Sequence, residues 1–366
     1  MNNIIIFQNY KQDILNVFKA HYRKIISQNT NVSFDFVLTS TLKELKIYES
    51  DNEQVSFLEE WFNLVHNQSF LTRISSLYQF NELIFHGPSD IQIINGKDRA
   101  SLEINLISEE DYQLALEVLS LKNSCSWNYS EPFSSFQTKI QDTSCRITLI
   151  HFSTSANAKS KVFLRSLFNT SLSLNNFCDN PELIDFVREI TLKKKNILIA
   201  GSTGCGKTTF LRALLSETDQ DEHIIILEDT HEIFTTSSKQ TSFLAREKTG
   251  KKSLKEYCAY ALRMSPDRLI LGEMRSDEVV PFLLAMNTGH NGLMSTIHAN
   301  SSVDSISRLA LLFSMYSGNN EMSFELITKL ICKNIDYIIY LKDKTIDEVC
   351  KVIGSEKDIP FFEKIY

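Results

Sequence analysis

The chain has 366 residues, a length that suggests two domains and a core large enough to need no disulfide staples. Hydrophobic residues make up 43% and charged residues 23%, the balance of an ordinary globular protein. Lys plus Arg number 38 against 45 Asp plus Glu, and the resulting net charge of −7 argues against a nucleic-acid coat or a polybasic membrane anchor.

The first 65 residues read as helical. Ile14, Phe18, Ile25 and Ile26 fall near helical spacing, as do Val37, Leu38, Leu42 and Leu45, and a third apolar stretch over 55–65 contains Trp61 and Phe62. No catalytic pattern stands out here. The apolar start from Ile4 to Phe7 is too short for a signal sequence, and no run approaches the roughly 18 apolar residues of a membrane span. From about residue 70 the pattern changes. Residues 71–80 read as a helix, and 82–86 and 91–94 as strands around the turn Gly87-Pro88-Ser89-Asp90. Asn95-Gly96 signals a hairpin, 100–107 alternates as a half-buried strand, 109–122 is helical, and 144–152 and 161–168 read as strands. The polar stretch 172–180 ends at Pro181. The division expected is a helical extension over 1–67, an α+β domain over 68–172 and an α/β domain over 173–366.

In that last segment helices at 181–193, 208–215 and 254–264 are interspersed with strands at 197–200, 224–227, 269–271 and 293–296. Alternation of this kind predicts a mostly parallel sheet with helices on both faces. Seven of the 11 glycines lie between Gly201 and Gly292, Gly250 among them, so the chemistry is expected in the second half. The seven cysteines include no CxxC pair, which points to a reducing compartment without disulfides or structural zinc.

Gly201-Ser202-Thr203-Gly204-Cys205-Gly206-Lys207-Thr208 fits G-x-x-x-x-G-K-[ST], with a strand leading in and a helix leading out. Such a loop aims backbone N–H groups and a helix N-terminus at phosphate. Lys207 would reach the β- and γ-phosphates, Thr208 would ligate Mg²⁺, Thr209 extends the set, and Cys205 is a small filler. Other apolar runs end in polar residues expected on the same rim of the sheet. These are Glu228-Asp229, Gly272-Glu273 and Ile297-His298. Glu273 is the candidate for polarising an attacking water. Glu228 and Asp229 are candidates for the water shell of Mg²⁺, with helix capping as the alternative. His290 and His298, eight residues apart among glycines, are candidates for sensing the γ-phosphate.

These residues resemble a known family. The run Ala261-Leu262-Arg263-Met264-Ser265-Pro266-Asp267-Arg268-Leu269-Ile270-Leu271-Gly272-Glu273-Met274-Arg275 is similar to the Walker B region of the hexameric secretion ATPases. The segments around His290 and His298 resemble their histidine box, and Ile226-Leu227-Glu228-Asp229 their Asp box. The wording is most similar to the type IV secretion and tight-adherence pilus branch. Glu82-Leu83-Ile84-Phe85-His86-Gly87-Pro88 resembles the opening strand of the family's N-domain, with His86 where Asn is usual. The resemblance implies a RecA-like P-loop ATPase domain preceded by a smaller α+β domain. It implies ATP and Mg²⁺, with Arg275 in the site and Arg146 and Arg165 reaching phosphate across a subunit interface. It further implies a homo-hexameric motor, peripheral on the cytoplasmic face of the inner membrane and working on secretion or pilus platform proteins. Pro281, early in the helix expected after Glu273, departs from the pattern, as does the lack of the four-cysteine zinc module, and residues 1–65 match nothing in it.

Three alternatives remain at this level. A nucleotide-assembled scaffold would not need Glu273 and both histidines. A RecA-like nucleic-acid translocase fits poorly with an acidic chain whose basic runs, 193–195 and Lys251-Lys252, are short. A small-molecule kinase would want an arginine-rich lid after the P-loop helix.

Overall fold

The computed structural model describes residues 2–47, 52–96, 98–167, 172–233, 239–245, 253–318 and 322–366. Gly250 and the Lys251-Lys252 run lie outside the described residues. The chain forms two units, Met1–Phe168 and Asn169–Tyr366.

The first unit opens with four helices, α1 (Asn2–Ile26), α2 (Phe34–Leu45), α3 (Asn52–Val65) and α4 (Ser69–Leu77). Ile14, Phe18, Tyr22 and Ile26 recur every four residues on α1 and are all buried, as an amphipathic helix requires. The chain then forms β1 (Glu82–Phe85), β2 (Asp90–Asn95), β3 (Asp98–Glu103), α5 (Glu109–Lys122), β4 (Phe133–Ile140), β5 (Thr143–Ile150) and β6 (Lys161–Ser166). The strands make one antiparallel sheet in the order β3-β2-β1-β6-β5-β4. Asn95 pairs with Asp98 across the hairpin that Asn95-Gly96 signals. Strand β3 starts two residues before the expected 100–107 stretch and ends four before it, because the hairpin sets its register. Strand β4 was not foreseen: its buried face carries Ser134 as well as Phe136 and Ile140, while Phe133 is exposed, so alternation of apolar residues is broken. The helices expected over 1–67 and the strands after them share a single core that runs from Ile14 to Leu164. Asp111 of α5 ties the helices to it, accepting from Lys19 at 2.7 Å and from Trp61 Nε1 at 2.9 Å.

The second unit contains α6 (Pro181–Leu192), β7 (Ile197–Gly201), α7 (Lys207–Leu215), β8 (Ile224–Glu228), β9 (Gln240–Leu244), α8 (Leu254–Ala261) and β10 (Arg268–Leu271). It continues with α9 (Val279–Asn287), β11 (Met294–His298), α10 (Ser302–Tyr316), α11 (Phe324–Asn334), β12 (Tyr337–Lys342), β13 (Thr345–Glu356) and β14 (Ile359–Lys364). Eight strands run in the order β14-β13-β12-β7-β11-β10-β8-β9. From β12 to β9 the pairing is parallel, and only β13 and β14 join antiparallel. Strand residues alternate between two buried layers. Ile197, Ile199, Ile224 and Ile226 pack with α6 and α7, whereas Leu198, Ala200, Ile225 and Leu227 pack with α8 to α11. A sheet covered on both faces explains why these strands read as unbroken apolar runs. Pro281 causes no disturbance, because α9 starts at Val279 and the proline occupies its first turn, where its missing N–H would have no intrahelical acceptor.

Candidate phosphate-binding site at the carboxyl rim

The parallel register fixes the site. Gly201 pairs with His298, and Leu271 lies level with both Leu227 and Ser295. The carboxyl ends of β7, β8, β10 and β11 therefore deliver Gly201, Glu228, Glu273 and His298 to one rim. The loop from Gly201 to Gly206 leads directly into α7. Glycine is required at two points. A Cβ on Gly201 would meet Cys205 Sγ at 2.5 Å and the Leu341 carbonyl oxygen at 2.6 Å, and Gly206, at φ +95°, caps α7 in a conformation that side chains disfavour. Buried Cys205 fills the loop from within, while Ser202, Thr203 and Gly204 are exposed at its tip.

Lys207, the first residue of α7, is buried, and all three of its ammonium protons have acceptors. It donates to Gly201 O at 2.9 Å and Ser202 O at 2.8 Å, and its Nζ lies 3.0 Å from His298 Nδ1. The other ring nitrogen, Nε2, is 3.2 Å from Glu273 Oε1. Since the ammonium can only donate, Nδ1 accepts and Nε2 carries the proton toward Glu273. Burial, and then the Lys207 charge, hold His298 below the ordinary histidine value, which keeps this neutral tautomer. Burial likewise lowers Lys207, against the attraction of Cys205 and Glu273. The Glu273 segment is clamped to β11 on both sides: Thr296 Oγ1 donates to Gly272 O at 2.8 Å and Met274 N to Thr296 O at 2.9 Å. Lys207, His298 and Glu273 thus form a continuous cation, imidazole and carboxylate chain, although 66 positions separate the first from the last.

Other sequence candidates stand elsewhere. Glu228 reaches the rim but is buried, and its carboxylate turns into its own loop. Oε1 accepts from Glu232 N at 3.0 Å and Ile233 N at 2.8 Å, while Oε2 faces His231 Nδ1 at 3.3 Å. Burial raises its pKa despite those bonds. Oε1 thus holds the turn, while Oε2 meets only the imidazole, and the expectation that Glu228 joins a metal's water shell through Oε2 is kept as a proposal. Asp229 forms an ion pair with Arg275, which links the ends of β8 and β10. His290 is corrected. It precedes β11 rather than following it, and residues leading into a parallel strand emerge at the opposite rim from residues leading out. Its neighbour Gly292 approaches Lys194 and Arg268, at the amino ends of β7 and β10, and His290 Nδ1 faces Thr288 Oγ1 at 3.2 Å. Arg146 and Arg165 are cross-strand partners in the β5–β6 pair of the first unit, with Arg165 Nε 4.0 Å from Glu82.

Two residues were missed. Glu278, 1% exposed, accepts from Arg275 N at 2.6 Å, Ser276 N at 2.8 Å and Ser276 Oγ at 2.6 Å, and so closes the turn after Glu273. Arg308 of α10 lines a cavity of about 540 Å³ beside the phosphate loop. Reading a helix after His298, on the same rim, is the signal that would have found it. For Mg²⁺, among the described residues no group of three His, Cys, Asp or Glu side chains is arranged to hold a metal. The donor set nevertheless suits this ion, which takes few protein ligands when phosphates and water supply the rest. Half-buried Thr208 presents a hydroxyl in the first turn of α7, next to half-buried Thr209, and Glu273 adds a carboxylate on the same rim.

Residues 134–356 match the family described as type II/IV secretion system protein. The chain belongs to that family. Among relatives, a type IV secretion system protein VirB11 of Bartonella quintana is 33% identical over 173 residues, covering 46% of this chain and 49% of that protein. PtlH of Bordetella pertussis, also a type IV secretion system protein, is 32% identical over 163 residues, 43% of this chain and 48% of its own. The chain thus spans about half the length of the curated relatives it matches. Solved structures extend the likeness in fold. The pilus retraction motor PilT aligns with a TM-score of 0.57 at 18% identity, covering 80% of both chains. The Legionella pneumophila ATPase DotB aligns at 0.52 and 14% identity, over 84% of this chain and 79% of that one. The family and these likenesses identify the architecture as a RecA-like α/β unit preceded by an N-terminal α+β unit with helices. Among the described residues no helix is long and apolar enough to cross a membrane.

Proposed function

We propose that this family member is a Mg²⁺-dependent ATP hydrolase that powers a type IV or type II-like secretion system or pilus as a homo-hexamer. The observation that carries the reading is the contact chain from Lys207 through His298 to Glu273 on the rim of the phosphate loop. Loop N–H groups and the α7 N-terminus hold the β- and γ-phosphates, and Lys207 exchanges its two carbonyl acceptors for phosphate oxygens. Thr208 would hold the Mg²⁺, which when bound would supply positive charge to offset that of the phosphates. Glu273 accepts a proton from the attacking water as the bond from the γ-phosphorus to the β-bridging oxygen breaks, and ADP leaves with that electron pair. His298, its Nε2 proton on Glu273, holds the carboxylate in place and couples it to Lys207.

The relatives support a class of partner. Proteins named for type IV secretion and conjugal transfer support work at a membrane platform, with the chain on its cytoplasmic side. Arg146 and Arg165 are proposed to act on phosphate in trans in the hexamer, since an arginine finger is a recurrent requirement of phosphoryl transfer. ATP turnover by purified protein, compared with Lys207→Ala and Glu273→Gln, tests the reading. Lys207→Ala should lose nucleotide binding, and Glu273→Gln should bind ATP but turn it over about 100-fold or more slowly. Unchanged turnover in both variants would sink the proposal.

A further inference from the structure

The cavity beside the phosphate loop contains a cation that the motifs do not account for. Its walls are Ser202 and Thr203 at the loop tip, His298 at the end of β11, Asn300 just after it, and Asp304 and Arg308 on α10. Helix α10 starts on this rim because it follows β11 after a short turn, where the Ser301 hydroxyl accepts from Asp304 N at 3.0 Å. Ile306, Leu309, Ala310 and Phe313 are buried in the core. Their burial fixes the rotation of the helix and leaves Asp304 and Arg308, one turn apart, on the cavity side. Among the described residues Arg308 has no hydrogen-bond or ion-pair partner, and Asp304 does not pair with it. An uncommitted guanidinium offers a planar fork of donors suited to phosphate.

The location selects the ligand. Strand β11 flanks β7 on one side and β12 on the other, and Lys207 turns its ammonium toward β11, against His298. The cavity therefore lies past the end of a triphosphate that Lys207 would grip, on the side of the terminal group. We propose that it is an oxyanion pocket for the terminal phosphoryl group, with Arg308 its cation from the same chain. This rests on the ATPase reading above and deepens it. The same chemistry serves two sources, the γ-phosphate of bound ATP and the inorganic phosphate released from it. Asp304 opposes either and sets the pocket's affinity below what Arg308 alone would give.

The test uses the full chain and compares wild type with Arg308→Ala, Arg308→Lys and Asp304→Asn. Dissociation constants are measured for ADP and for a nonhydrolysable ATP analogue, and turnover is titrated with inorganic phosphate. If bound γ-phosphate fills the pocket, Arg308→Ala weakens the analogue by about tenfold or more while ADP stays within about twofold. If released phosphate fills it, analogue affinity holds and inhibition by phosphate weakens by about tenfold. In either case Arg308→Lys recovers part of the loss, and Asp304→Asn shifts the same quantity the opposite way. Equal weakening of ADP and analogue, or no change in either measurement, overturns the proposal. Wild-type protein that binds neither nucleotide would instead remove the ATPase reading, and this inference with it.

Discussion

Replacing Gly201 with alanine separates backbone sterics from chemistry at the phosphate loop. The added Cβ would lie 2.6 Å from the Leu341 carbonyl oxygen, a backbone atom of the neighbouring strand β12, and 2.5 Å from Cys205 Sγ. Overpacking of this kind costs about 1–3 kcal/mol. The φ of +154° adds strain of about 1–3 kcal/mol for a residue with a side chain. Together these give about 2–6 kcal/mol, or a fall in Tm of roughly 5–20 °C for a unit of this size. Gly204→Ala is the control. Nothing lies within 4 Å of its added Cβ, and only φ +77° is unfavourable, so the cost should be about 1–2 kcal/mol. A second variant divides the clash: in a Cys205→Ala background the sulfur contact is gone and the Leu341 contact stays, so Gly201→Ala should cost less but not nothing. Thermal unfolding followed by calorimetry reads all five proteins, wild type and the Cys205→Ala reference included. Equal Tm values for Gly201→Ala and Gly204→Ala would refute the packing argument, because only one of the two positions is crowded.

Two further predictions concern buried titratable groups. His66, packed against Tyr22 with Nδ1 at 2.8 Å from the hydroxyl, is held down to about 4 by burial and then by Lys122. Between the ordinary value of 6.5 and about 4 the unfolded chain takes up a proton that the folded unit refuses, so stability should fall as pH drops through that window, by at most about 3 kcal/mol. Denaturant titrations at pH 7 and pH 4.5 check this, and a His66→Phe variant with the same pH dependence as wild type would assign the effect elsewhere. Glu278→Ala should leave the N–H groups of Arg275 and Ser276 without their acceptor and loosen the Glu273 turn, lowering kcat by about tenfold or more with little change in ADP affinity. Glu278→Gln retains one oxygen and should fall between; steady-state kinetics with a parallel ADP titration distinguishes this from general misfolding, in which both quantities fail.

The phosphate loop was legible because its spacing is set by backbone geometry, and backbone geometry is written in glycine. The convergence of Lys207, His298 and Glu273 was legible for a related reason. In a parallel sheet the residue after each apolar run emerges on the same rim, so run ends can be superposed without knowing the fold in detail. That rule fails for a residue before the run. His290 shares a glycine-framed segment with His298 but enters β11 instead of leaving it, and it lands on the opposite edge. Strand β4 was hidden by Ser134 on its buried face, and the three strands after Asn334 carried no motif to draw attention to them.

The carboxylates mark a firmer boundary. Glu228, Glu273 and Glu278 all follow or flank apolar runs near one rim, and nothing in their spacing ranks them. What distinguishes them is the demand of nearby backbone. Two turns on this rim, after β8 and after β10, present N–H groups inside the protein that need acceptors. Glu228 meets the first and Glu278 the second, and each is buried in doing so. Among the described residues Glu273 is the one of the three that accepts from no backbone N–H; its carboxylate faces the His298 side chain and stays 35% exposed. A carboxylate is free for chemistry here because two others close the loops beside it. Substituting either of those two should therefore disturb turnover through the position of Glu273, with nucleotide affinity the quantity that moves least.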